Sequence, residues 1–378
     1  MQRPRVFLNS ARSSFTWAPP LSAICFDRTT QGIYGFVKFT HALTYALMNS
    51  PNFTSVATVA DDTLKSLGST LNRPECVLAT RSGALYTADW RGGVAQVLPD
   101  GGETLFSGTM PDGLTARPNG IALMADGSFL MAQLGDSDGG VYRLTRQGQI
   151  TPWLRQADGV DLPPCNFVVQ DAAGRTWITV STRLMPRAAA YRNDVADGFI
   201  VCVNAEGRAA IVADGLGYTN EVALHPSGQW LYVNETFGRR LSRFPVAANG
   251  TLGSRETVTE FGAGTFPDGL AFDEDGCAWI VSIVSNRVIR IGPDGSQQLF
   301  LEDNDADHLA WVEAAFQNHS MGRPHLDGIR SQRLKNISSI AFAGPDRRTG
   351  VLGCLLGNCL QTLPMPAAGV APFHWNFP

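Results

Sequence analysis

At 378 residues, with 17% charged side chains and a net charge of −4 spread without blocks, the chain gives no footing for nucleic acid or a membrane surface. No run of about eighteen apolar residues is present to span a bilayer. The 39 glycines and 22 prolines point to many turns, and short strands with turn signals outnumber helix-period stretches. An all-β architecture is expected.

The first fifty residues mix Arg3, Arg5 and Arg12 with Ser10, Ser13 and Ser14, and the first acid is Asp27. That is a weak transit-like composition without an apolar core or a small-residue cleavage site. Residues 1–54 are read as an N-terminal extension strapped across the outside of a domain covering 55–378. The 7 cysteines show neither a CxxC pair nor zinc spacing, so they read as buried free thiols in a cytoplasmic, reducing compartment.

From Glu75 onward a register appears. A polar, metal-competent residue stands eight positions ahead of a turn glycine in Glu75/Gly83, Asn119/Gly127, Asn166/Gly174, Asn220/Gly228 and Asp268/Gly276. A short apolar stretch fills each interval and a second one follows each glycine. The register positions are 44, 47, 54 and 48 residues apart, a period typical of propeller blades. Blade one covers roughly 74–107, and blades two to five begin at Pro118, Cys165, Thr219 and Pro267. The outer hairpins carry Gln147-Gly148, Glu206-Gly207, Asn249-Gly250 and Asp294-Gly295, which supply the positive φ of tight turns. A sixth blade runs from about Asn336 to Val370, with Ser338 in the register and no ligand expected from it. A six-bladed ring must hide its edges, and either Ser55–Val59 or Pro372–Phe377 is expected to complete a blade.

Two insertions break the rhythm. Arg183–Asp197 falls between the second and third strands of blade three. Asp303–Lys335 falls between blades five and six, with a helix-like stretch, Asp307–Asn318, that puts Leu309, Val312, Ala315 and Phe316 on one face. In a four-stranded blade both connections emerge on the face where the register residues begin their strands. Both should therefore overhang that end of the axis, 303–335 as a segment narrowing access to it.

Two carboxylates, Glu75 and Asp268, with two or three amides from Asn119, Asn166 and Asn220, form a hard all-oxygen donor set. Such a set suits Ca²⁺, with Mg²⁺, Mn²⁺ or Zn²⁺ as alternatives. Turn formation alone accounts for Asn119-Gly120 and Asp268-Gly269. It does not account for Glu75, for Asn166 followed by Phe167, or for Asn220 followed by Glu221.

Four segments, Arg-Pro-Glu (73–75), Cys-Asn-Phe-Val-Val-Gln-Asp-Ala-Ala-Gly-Arg (165–175), Thr-Asn-Glu-Val-Ala-Leu-His-Pro-Ser-Gly (219–228) and Pro-Asp-Gly-Leu-Ala-Phe-Asp-Glu-Asp-Gly (267–276), resemble the senescence marker protein/gluconolactonase (regucalcin-like) family across about 70–370. The resemblance implies a six-bladed propeller lactonase with one divalent ion held by Glu75, Asn166, Asn220 and Asp268. It also implies a small-molecule substrate. Where the family has Asn-Asp in blade three, this chain has Asn166-Phe167, and the extended N-terminus and the 303–335 insertion also depart from the family pattern.

Within that reading Asp268 is the catalytic candidate, activating the attacking water. Asn119 and Arg183 are the substrate-binding candidates, with Arg187, Tyr191 and Arg192 behind Arg183. His308, His319 and His325 lie within reach of the insertion side, whereas His225 points to the opposite face. A phosphotriesterase-like enzyme, a carbon–carbon bond-acting enzyme and a non-enzymatic calcium-binding propeller remain as alternatives.

Overall fold

A computed structural model of the chain describes residues 53–56, 63–135, 139–328 and 330–378. The 1–54 extension lies outside the described residues except for its last two. Among the described residues six sheets built on four antiparallel strands form the blades, each running from an inner strand to an outer one, and the fifth blade carries one added edge strand. The inner strands are Val77–Ala79, Pro118–Leu123, Phe167–Gln170, Thr219–Leu224, Thr265–Phe272 and Ile337–Ala343. All six blades begin within two or three residues of the positions expected from the repeat.

The burial pattern explains why these are blades rather than one open sheet. The second strands Phe129–Gln133, Thr176–Val180 and Ala278–Val284 are buried at every residue, because a blade interior is covered on both faces by its neighbours. Outer strands such as Glu256–Glu260 face solvent and read polar. Between blades five and six, for example, Trp279, Val281, Phe342 and Leu352 pack into one apolar cluster. Burying each such side chain contributes about 1.5–3 kcal/mol.

The five register glycines, Gly83, Gly127, Gly174, Gly228 and Gly276, all turn with φ between 71° and 89°. The four outer hairpin glycines also have positive φ. Gly120 and Gly269 behave differently from the turn reading. They lie inside strands, and a Cβ there would stand 2.6 Å from the Cα of Phe167 and of Ser339. Glycine at these two places lets neighbouring inner strands close around the axis.

Ring closure departs from both expected segments. Lys65–Leu67 pairs with Leu360–Pro364 and becomes the outer strand of blade six, immediately before the chain enters blade one. Phe53–Val56 instead adds a parallel fifth strand to the edge of blade five. The C-terminal segment lies beneath blade one, where the Arg81 N–H donates to the Trp375 carbonyl, rather than inside a sheet. Three residues leading directly into an inner strand can close the ring without a long connection, which is why the closing strand is so short.

Both insertions pack together on the expected face. Arg187–Ala190 forms a 3₁₀ turn in the first, and the second holds helices Ala306–Gln317 and Arg323–Asp327. Asp305 caps the longer helix by accepting from the His308 N–H at 2.7 Å. Leu309, Val312, Ala315 and Phe316 form its buried stripe and join Tyr191, Tyr218, Phe237, Phe266, Leu326 and Leu355 in one cluster. A two-pronged ion pair from Arg239 to Glu313, 2.9 and 2.6 Å, ties the helix to blade four.

Candidate active site

The register residues reach the axis through a repeated local device. Pairing of the inner with the second strand slips between Pro118 and Ile121, between Thr219 and Val222, between Pro267 and Leu270, and between Ile337 and Ser339. Each slip is a bulge that re-aims the side chains within it. Asn119, Asn220, Asp268 and Ser338 all sit inside these bulges. In blades one and three, Glu75 and Asn166 stand just ahead of their strands.

Glu75, Asn119, Asn166, Asn220 and Asp268 line one cavity of about 70 Å³. Four of them leave a buried oxygen with no hydrogen-bond partner: Glu75 Oε2, Asn166 Oδ1, Asn220 Oδ1 and Asp268 Oδ1. The other atoms of these side chains explain their orientation. Asn220 Nδ2 donates to Thr236 Oγ1 at 3.0 Å, which turns its oxygen into the cavity. Asn119 Nδ2 donates to Glu75 Oε1 at 2.7 Å and to the Asn166 carbonyl at 3.0 Å, leaving Oε2 of Glu75 open. Asn234 props the Asp268 strand by donating to the carbonyls of Asp268 and Gly269.

An unpaired buried acceptor costs about 1–3 kcal/mol, so four on one cavity are a large penalty without a cation. The acids point the same way. Burial raises the proton affinity of Glu75, and Asp268 is pushed well above the usual carboxylate range by burial and then by the charge of Glu75. The donor set fits a hard divalent ion: two carboxylates and two amides, all oxygen, from four different blades. Among the described residues no three His, Cys, Asp or Glu side chains gather into a metal cluster, so an ion here depends on the amides.

Asn119 occupies the fifth register position but is engaged otherwise. Its amide clamps Glu75, and its oxygen accepts from Arg73 Nη2 at 3.4 Å. Ser338 donates to the Glu75 carbonyl and joins blade six to blade one. Arg183 is not brought to the cavity. Its guanidinium forms a two-pronged pair with Asp214, also donates to the Asp197 carbonyl, and lies over the Phe199 ring. Four residues later, Arg187 lines the cavity together with Tyr191. Arg192 pairs with Asp194, and His319 bonds Asn193. His308 and His325 stack around Trp311, away from the cavity lining.

The residue reading missed Arg73, Trp90, Tyr218 and Arg323, all of which line the cavity. Arg73 had a signal, since it stands two places before Glu75. Its backbone is left-handed, φ 54°, and its guanidinium lies 4.4 Å above the Trp90 ring centre. Arg323 sits on a five-residue helix of an insertion with no repeat to align it.

A six-bladed ring whose inner strands bring unpaired oxygens together on its axis defines a β-propeller with one axial site. Residues 63–299 match the SMP-30/gluconolactonase/LRE-like region, and the chain belongs to that family. Over 225 residues it is 31% identical to a 6-deoxy-6-sulfogluconolactonase of Pseudomonas putida, covering 58% of this chain and 72% of the relative. A regucalcin of Agrobacterium tumefaciens, described as a calcium-binding protein, superposes with a TM-score of 0.61 at 18% identity, over 86% of this chain and 100% of its own. A gluconolactonase of Xanthomonas campestris superposes at 0.59 and 20% identity, over 80% and 89% of the two chains. These two share the fold. Among the described residues no helix is long and apolar enough to cross a membrane.

Proposed function

We propose that the chain is a divalent-ion-dependent lactonase that opens a cyclic ester with water. The observation carrying this reading is the set of four unpartnered oxygens, from Glu75, Asn166, Asn220 and Asp268, on the axis of a propeller of this family. The sulfogluconolactonase relative supports the choice of a lactone as substrate. Calcium is the expected ion because every donor is an oxygen and no thiolate or imidazole joins them.

When bound, such an ion supplies Lewis acidity toward a carbonyl oxygen and eases deprotonation of water. Asp268 presents an unpaired carboxylate oxygen to the cavity and takes the proton of the attacking water. Asn119 holds Glu75 in position, so its loss lowers activity through a misplaced carboxylate. Arg73 and Arg187 bring N–H donors into the same low-dielectric space, where bonds to substrate oxygens are strengthened. The apolar cluster of the two insertions keeps bulk water from this end of the axis. The segment carrying Arg323 and Leu326 borders the cavity, so its position limits the size of lactone that enters.

The test is a panel of aldonolactones, aryl esters and phosphotriesters assayed on purified protein after chelation and after reloading with calcium, magnesium, manganese or zinc. Lactone opening should vanish with chelation and return with calcium. Undiminished opening in the chelated protein would remove the ion from the reaction. Hydrolysis confined to phosphotriesters would replace the lactone as substrate.

A further inference from the structure

The same cavity carries more positive charge than a neutral lactone needs. Glu75 and Asp268 supply two negative charges, which one divalent ion would balance. Three guanidiniums, of Arg73, Arg187 and Arg323, remain on the lining. Only Arg323 has a full carboxylate partner of its own, Asp327 at 2.6 Å. Arg73 lies 3.7 Å from the Glu75 oxygen that is open to the ion. Arg187 forms no ion pair among the described residues, donating instead to Ser181 Oγ at 3.0 Å.

Two further observations show that this charge is unsettled. The Nε–H donors of both Arg73 and Arg187 are buried with no acceptor, and Arg73 is only 8% exposed. Moreover, Arg187 and Arg323 come from the two insertions, the segments that interrupt the blade repeat. Separate stretches of chain thus converge cations beside the ion site. Arg73 and Arg187 keep buried donors that go unmet until an anion arrives, and Arg323, 47% exposed and paired with Asp327, adds charge at the rim.

We propose that Arg73, Arg187 and Arg323 form an oxyanion subsite, so that the preferred lactone carries an acidic substituent outside its ring. A sulfonate, phosphate or carboxylate offers the several oxygens that planar guanidinium forks bind in pairs. This rests on the lactonase reading for the identity of the ring and on the arginines for its charge.

The experiment compares kcat/KM, on the calcium-loaded full chain, for an aldonolactone with a neutral terminal carbon and for the same lactone bearing a terminal sulfonate, phosphate or carboxylate. One charge-assisted contact is worth about 10- to 100-fold, and at least that preference is expected for one or more of the acids. Their order identifies the oxyanion. Arg187→Met should lower kcat/KM about 10- to 100-fold more for the acidic substrate than for the neutral one, mainly through KM. Arg323→Met should act in the same direction, while Arg243→Met, on an outer strand pair with Glu256, should change neither. Equal use of neutral and acidic lactones, or equal losses for both in Arg187→Met, would overturn the subsite. If no lactone is opened the ring assignment falls separately, and calorimetric binding of a sulfonated against a neutral open-chain polyol then decides. Binding about tenfold tighter for the sulfonate and lost in Arg187→Met upholds the subsite, whereas equal binding rejects it.

Discussion

The two ends of the propeller axis hold cavities of opposite character. The one opposite the insertions is about 430 Å³, lined by Val169, Leu224, Phe272, Phe342 and Phe373 among others. The one beneath the insertions is about 70 Å³. Size and apolar lining are the usual guides to a ligand site, and both favour the larger cavity. Hydrogen bonding reverses the choice. Six residues on the small cavity, Arg73, Glu75, Asn166, Arg187, Asn220 and Asp268, leave a buried polar atom without a partner. On the large one only His374 does so, while Asp171 is tied to Arg175 and Trp177. Buried polar atoms are almost always paired in folded proteins. On that ground we assign the ligand site to the end that leaves them unpaired.

Substitutions at the two ends test that contrast most directly. Asp268→Asn keeps shape and loses both charge and proton acceptor, and should lower lactone turnover by about 10²–10⁴-fold. If Asp268→Asn turned over normally with its ion bound, the small cavity would lose its claim. The next effect concerns the cover. Glu313→Ala leaves Arg239 buried and unpaired, which costs about 3–5 kcal/mol locally. Hydrogen exchange across Ala306–Gln317 should speed up while inner strands stay protected. Unchanged exchange would mean that the pair does not hold the helix down.

Ion binding should follow. Calcium at about a hundred times its dissociation constant stabilises by about 2.7 kcal/mol, visible as a rise in Tm. Asn166→Leu should abolish that rise and also make the ion-free protein more stable by about 1 kcal/mol, because it removes an unpaired acceptor. A Tm indifferent to both calcium and chelator would break the reading of the four oxygens. The smallest effect belongs to the large cavity: Phe373→Ser, at a side chain 48% exposed, should change stability by about 0.5 kcal/mol or less and activity not at all.

Much of this was legible in the chain because the blade repeat copies one local solution. A positive-φ glycine eight residues on fixes the turn in five blades, and a bulged inner strand aims the register side chain in blades two, four and five. The repeat therefore carried the fold and the five axial residues together. Arg183 shows where such reasoning ends. It shares its loop with Arg187, and only the path of an aperiodic segment, together with Asp214 from a neighbouring strand, decides which of the two reaches the axis. Lys65–Leu67 is a similar case, a three-residue strand too short to show alternation. Arg73 was visible in the motif but was read for its neighbour, Glu75.

That short strand has a consequence for how the molecule comes together. Lys65 pairs with Thr362, so one of the earliest blade-forming strands to be synthesised waits for nearly the last. Joining ends so far apart costs about 5 kcal/mol of loop entropy, recovered only when blade six zips shut. A chain interrupted before Leu360 would leave Lys65–Leu67 and the edge of Thr349–Cys354 unpaired and invite pairing between molecules. A circular permutant that made Lys65–Leu67 contiguous with Leu360–Pro364 would turn this distant meeting into a hairpin. It should fold faster than the natural order of blades, with the finished ring unchanged.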